Sequence, residues 1–195
     1  MQPGGHGAFH IPPVPVLYRA MGQEPFEALM TAHHAEIYRY VLRVTAHSGE
    51  ADDLSQETFI RAYRAYRALP ADANVRAWLF AIATNLCRNH FRSERRRRAA
   101  YAGVQIGARE VDHDGPEGAA LFQEARTLTQ GVIDGLPLKQ RLAFVMRKLH
   151  DLDYDAIGQS LDCSSESARA HVFQALRKVR RALSGHALPD TEPRS

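Results

Sequence analysis

From Phe26 onward the apolar side chains return at helical rather than alternating intervals. Phe26, Leu29, Met30, Ile37, Val41 and Val44 fall on one stripe, which predicts a first helix. Pro25 suits its first turn. Gly49 interrupts the pattern, and Ala51, Leu54, Phe59, Ala62, Tyr63 and Tyr66 then predict a second helix. Its opening turn carries Glu50, Asp52 and Asp53, acids that favour the positive end of the helix dipole. Pro70, Asp72 and Asn74 mark a break, after which Val75 to about Arg97 runs without Gly or Pro and places Val75, Leu79, Ile82 and Leu86 on a core stripe. Further along, Leu121, Ala125, Leu128 and Val132 predict a helix that ends around Gly135 to Pro137. Leu138, Leu142, Val145 and Leu149 predict the next, Tyr154, Ile157 and Leu161 a short one, and Ala168, Val172, Ala175, Val179 and Leu183 a longer last one. No alternating pattern of useful length and no internal repeat is found, so the expected fold class is all-α.

The same pattern divides the chain. Residues 1–23, rich in Gly, Pro and His with Pro12, Pro13 and Pro15 close together, are expected to form a flexible extension. Residues 24–98 make one helical domain. Periodicity lapses over 99–119, where Gly103, Gly107, Gly115, Pro116 and Gly118 predict a flexible linker. Residues 120–184 make a second helical domain, and 185–195 a tail.

Composition changes this picture little, but charge distribution changes it more. The chain has 195 residues, 45% hydrophobic and 24% charged, with a formal net charge of +3. Those values suit a folded chain that is only mildly basic. Arginines crowd into Arg88 to Arg98 and Arg169 to Arg181, whereas carboxylates gather at Glu50 to Glu57 and Glu110 to Glu117, which points to more than one kind of partner surface. Cys87 and Cys163 lie far apart within apolar helical patterns and read as small hydrophobes. No apolar run reaches the roughly 18 residues of a membrane span, and the N-terminal segment lacks a signal-peptide pattern, so a cytoplasmic location is expected. His6 and His10 have no further spaced ligand, and His33 and His34 are adjacent and point apart. No metal, cofactor or catalytic constellation is expected, and the chain does not read as an enzyme.

Two constellations carry the chemistry. A short helix at Tyr154 to Ser160, a turn through Leu161, Asp162 and Cys163, and a helix capped by Ser164 or Ser165 have the order of a helix-turn-helix. Burying Ala168, Val172, Ala175 and Val179 leaves Ser167, His171, Gln174 and Lys178 on an exposed face flanked by Arg169, Arg177 and Arg180. Arg and Gln there can read base edges, and any of the cations can neutralise phosphate. In the long helix, Asn85, Arg88, Arg92 and Arg95 form a separate polar face suited to a nucleic-acid backbone.

Four stretches then carry a family resemblance: Asp52 to Tyr63 (Asp-Asp-Leu-Ser-Gln-Glu-Thr-Phe-Ile-Arg-Ala-Tyr), Val75 to Arg92 around Arg76 to Asn85, Leu136 to Arg141, and Leu152 to Gly158. In this order and spacing the chain resembles the extracytoplasmic-function (ECF, group 4) sigma factors, promoter-recognition subunits of bacterial RNA polymerase, over about Phe26 to Leu183. The resemblance implies a region 2 bundle followed by a region 4 helix-turn-helix. It implies that Asp52, Asp53, Leu54, Gln56, Glu57 and Phe59 bind core RNA polymerase at the β′ coiled coil, with the β flap as a further contact. Asp52, Asp53 and Glu57 on neighbouring turns suit a basic partner around an apolar contact from Leu54 or Phe59.

It further implies that Asn74, Arg76, Trp78, Asn85, Arg88 and Arg92 engage the −10 element and hold one strand open. Opening costs roughly 1.4 kcal/mol per base step, so the protein must offer unpaired bases another site. Ser165, Glu166, Ser167, Arg169, His171, Gln174 and Lys178 are implied to read the −35 duplex. Ala170 and Gln174 depart from the Ser and Arg common in the family, which leaves the preferred sequence open. The acids Glu110, Asp112, Asp114 and Glu117 are similar to the family's acidic linkers, and a merely solvated linker is the other reading. An anti-sigma protein is an implied partner. The rival reading is a dimeric helix-turn-helix repressor or activator, which leaves the acidic and Trp-containing helices of the first domain unexplained.

Overall fold

A computed structural model of the chain describes residues 25–70, 72–101 and 129–184. Helix α1 (Phe26–Thr45) buries Leu29, Ile37, Tyr40, Val41 and Val44, close to the predicted stripe, with Pro25 just outside as N-cap. It ends where Ala46 takes a left-handed conformation, φ 58°, and donates its N–H to the Leu42 carbonyl. The break therefore lies at Ala46 and His47. Gly49, expected to interrupt, sits inside the first turn of α2 (Ser48–Tyr66).

Helix α3 (Val75–Ala100) opens on Asn74, whose side-chain oxygen accepts from the Ala77 N–H at 3.0 Å. It buries Leu79, Phe80, Ala83, Thr84, Leu86 and Cys87, while Val75 and Ile82 are only partly covered. The predicted stripe was too narrow because α3 is packed from two sides, by α1 and α2 and by a helix of the second half. It also continues to Ala100, past the expected domain edge.

Residues 129–134 are helical (α4); the predicted start of that helix, the linker acids, the N-terminal extension and the C-terminal tail lie outside the described residues. Then come α5 (Leu138–Leu149), α6 (Tyr154–Leu161) and α7 (Ser165–Ser184). Asp153 caps α6 through Ala156 N–H at 2.7 Å, and Asp162, left-handed at φ 56°, ends it. Ser164 accepts from the Ser167 N–H at 3.1 Å, so Ser164 rather than Ser165 opens α7. Helix α7 buries Ala168, Val172, Ala175 and Val179, the four residues expected.

The two helical units do not stand apart. Their buried residues form one continuous cluster, with α1 packed on α5 and α3 on α6. Among the described residues there is no strand, and no helix is long and apolar enough to cross a membrane.

Candidate polymerase and nucleic-acid interfaces

On the first unit, an open groove of about 700 Å³ runs between α1 and α2. Asp52, Asp53 and Gln56 line its polar side, and Phe26, Met30, Ile60 and Tyr63 its apolar side. Phe59, expected to supply an apolar contact, is only 5% exposed and stacks on His34 as part of the floor. Tyr63, at 53%, and Ile60, at 40%, present the exposed apolar surface instead. Leu54 is half-buried, and Glu57 is held by Arg61 at 2.7 Å. Acids beside exposed apolar surface suit a partner that offers both cations and apolar side chains.

The residues expected at the −10 element separate into two groups. Asn74 and Arg76 are engaged within the protein. Asn74 caps α3. Arg76 pairs with Glu36 of α1, Nε to Oε2 at 3.0 Å, and also donates to the His150 carbonyl. Burial alone would raise the Glu36 carboxyl, but the Arg76 hydrogen bonds and charge, with help from His150, hold it below the ordinary value. Trp78 is half-buried against the core. Asn85, Arg88 and Arg92 stay together on one polar edge, as the i, i+3, i+7 spacing requires, with Arg88 donating to Asn85 at 3.4 Å. Together with Asn89 they line a polar cavity of about 400 Å³, whose other side is formed by Gln159 of α6 and by Asp162, which ends that helix.

On the second unit, Glu166, Ser167, Arg169, Gln174 and Lys178 are exposed on α7, with Ser165 and His171 half-buried. Gln174 accepts from Gln140 of α5 at 2.7 Å, which fixes its amide. The Arg169 guanidinium lies over the Tyr154 ring, 5.0 Å from its centroid, and Arg147 lies over the same ring at 5.2 Å. That arrangement holds two cations at the base of the helix-turn-helix. Burial and nearby Lys139 push His171 below the ordinary imidazole value, so it meets a ligand as the neutral ring at neutral pH.

Met30, placed by the sequence on the apolar stripe of the first helix, is 39% exposed, and Ile60 was not singled out. Each follows a buried residue by one step of about 100° around the helix, so each widens the apolar arc beyond what the core covers. That signal was present in the pattern. Glu36, His150, Gln130 and Arg141 were invisible because each meets its partner across the two units.

Comparison with known proteins agrees with this layout. The Sigma-70 region 2 family model matches residues 29–97, and the Sigma-70, region 4 model matches residues 128–179. The chain is 30% identical over 164 residues to the ECF RNA polymerase sigma-E factor of Escherichia coli K12, covering 80% of this chain and 85% of that one. It is also 30% identical over 165 residues to the RNA polymerase sigma-H factor of Pseudomonas aeruginosa, covering 81% and 86%. Among solved structures, it is similar to the sigma factor RpoE of Bartonella quintana in complex with the anti-sigma factor NepR, with a TM-score of 0.69 and 19% identity, covering 82% of this chain and 96% of that one. A second is CnrH in complex with the cytosolic domain of CnrY, with a TM-score of 0.61 and 20% identity, covering 82% and 88%. An acidic groove, a polar arginine face and a helix-turn-helix stand in the order of these matched regions, and the chain belongs to the ECF sigma factors of the sigma-70 family, which bind core RNA polymerase and direct promoter-specific transcription initiation.

Proposed function

We propose that the work is divided among three surfaces of this sigma factor. The acidic and apolar groove between α1 and α2 takes the β′ coiled coil, with Asp52, Asp53 and Gln56 meeting its cations and Met30, Ile60 and Tyr63 its apolar side chains. The edge of α3 carrying Asn85, Arg88 and Arg92 receives the −10 strand once it is unpaired. The N-terminal half of α7, with Ser165, Glu166, Ser167, Arg169, His171 and Gln174 and with Lys178 following, reads the −35 duplex. Exposed Leu149 and Phe173 on the second unit support a contact with the β flap.

In this reading the domains are 24–98 and 120–184, and the chain is a non-catalytic specificity subunit acting in the cytoplasm. An anti-sigma protein holds it in reserve. The observation that carries the reading is the coexistence of an acid-rimmed apolar groove on α1 and α2 with an arginine edge on neighbouring α3. A free-standing repressor has no use for the former.

Run-off transcription with purified core polymerase on a promoter mapped by transcript sequencing tests it. Asp53→Arg should lower core binding in a pull-down while thermal unfolding stays unchanged. Arg88→Ala with Arg92→Ala should leave core binding intact and weaken open complexes. Their salt dependence should flatten by about 0.7 log units per log unit of salt for each arginine that touches phosphate. No specific start with a matched core enzyme would overturn the assignment of surfaces.

A further inference from the structure

Gln174 stands on the exposed face of α7, opposite buried Ala168, Val172, Ala175 and Val179, and its amide is already held. Its Oε1 accepts from Nε2 of Gln140, 2.7 Å away on α5, which packs along α7. Gln140 is half-buried, and its own Oε1 is buried without a hydrogen-bond partner among the described residues. Turning that amide over would bury an NH2 group, two donors, in place of one acceptor. Orphaned buried N–H groups are rarer in folded proteins than under-satisfied carbonyl oxygens. Gln140 therefore presents a donor to α7. One turn further along that helix, Arg177 and Lys178 carry donors alone, so the acceptor of Gln174 is the atom that its surroundings engage.

A glutamine reads adenine by turning both amide atoms to one base edge, Oε1 accepting from N6 and Nε2 donating to N7. With Oε1 turned to α5, the amide offers DNA its Nε2 hydrogens. Guanine presents two acceptors in the major groove, N7 and O6. Adenine presents N7 beside the N6 donor, and an N–H facing an N–H leaves both unpaired.

We propose that Gln140 is a positioning residue for promoter recognition. By holding Oε1 of Gln174 it makes that side chain a reader that only donates, which selects guanine over adenine at the base pair it faces. Gln140 stands on a different helix from every residue assigned to the −35 duplex, and it acts without touching DNA. The inference rests on the assignment of Gln174 to that duplex.

Holoenzyme formed with the full chain, bound to a promoter library randomised over the −35 element and sequenced, reads the preference. Gln174→Ala identifies the position by the loss of preference there. At that position the wild-type protein should favour guanine over adenine by about tenfold, in the lower part of the range for one base contact. Gln140→Met, which keeps the length of the side chain and removes its amide, should bring the ratio to about one, because the freed Gln174 amide can turn to either base. Gln140→Glu should invert it, since a carboxylate only accepts, takes the Nε2 hydrogens of Gln174 and leaves Oε1 for adenine N6. Gln140→Lys, a donor only, should keep the guanine preference. The ratio is read from bound molecules alone, so a variant that folds poorly yields less bound DNA without changing it.

A wild-type ratio that favours adenine overturns the proposal. So does a guanine preference that Gln174→Ala abolishes but that Gln140→Met and Gln140→Glu both leave intact, which spares the assignment of Gln174 itself. Gln174→Ala binding the library with an unchanged preference at every position overturns that assignment, and the positioning role with it.

Discussion

At Gly158 the backbone of α6 passes so close to the following turn that a Cβ would lie 2.7 Å from the Cys163 carbonyl oxygen and 3.2 Å from the Ser165 nitrogen. Backbone cannot swing aside as a side chain can, so the whole turn of the helix-turn-helix must shift to admit a methyl group. Gly158→Ala is expected to destabilise the chain by about 1–3 kcal/mol, the usual cost of overpacking. Denaturant titration of the full chain checks that value. Binding of a −35 duplex should fall as well, since the same shift moves α7 relative to α6. The Cys87 thiol, by contrast, is pushed up to about 12 by burial, so it stays protonated and inert toward alkylation in the folded chain.

Among elements, α7 depends on its first turn. Ser164 satisfies the Ser167 N–H and also donates to its hydroxyl at 3.0 Å, at the end of the helix that carries the expected −35 readers. Ser164→Ala should cost about 1 kcal/mol through loss of the cap, visible in urea unfolding. Duplex affinity should drop for every sequence alike, because the cap orders the helix without touching bases. This helix was the most readable in the sequence. Ala168, Val172, Ala175 and Val179 lie one turn apart and pack on one side only, so a single stripe describes them. Helix α3 was less readable, because Phe80, Ala83 and Thr84 are buried by a second layer that periodicity within α3 does not reveal. The site follows the same division. Asn85, Arg88 and Arg92 share an edge that spacing alone predicts, whereas the pairing of Arg76 with Glu36, 40 residues earlier in the chain, depends on tertiary packing.

At the scale of the molecule, the contact between units should yield to acid. Burial pushes His150 below the ordinary imidazole value of 6.5, Arg76 and Arg39 add to this, and Glu36 opposes it. A folded-state pKa below the unfolded one means that the neutral ring stabilises the packing in full above the unfolded value, and that this is lost as pH falls through the folded value. Glu36, held below its ordinary 4.5, acts in the same sense at lower pH, its contribution disappearing as the carboxylate protonates. Trp78, the single tryptophan, lies in the first unit, whereas circular dichroism sees helices of both. At neutral pH the shared core should make the two probes report one coincident unfolding transition. As pH falls below the ordinary imidazole value, they should separate as the units lose their coupling. His90 and His171 are also shifted downward by burial and will add to any loss of stability in that range. Only His150→Gln tests the contact that His150 makes with Tyr40, Phe80 and Glu36 of the first unit. It removes the ring that fits between Tyr40 and Phe80 along with its titration, so the probes should already diverge at neutral pH and change little between neutral pH and pH 5. Coincident transitions in that variant at both pH values would mean that the helical units are coupled through the apolar core alone.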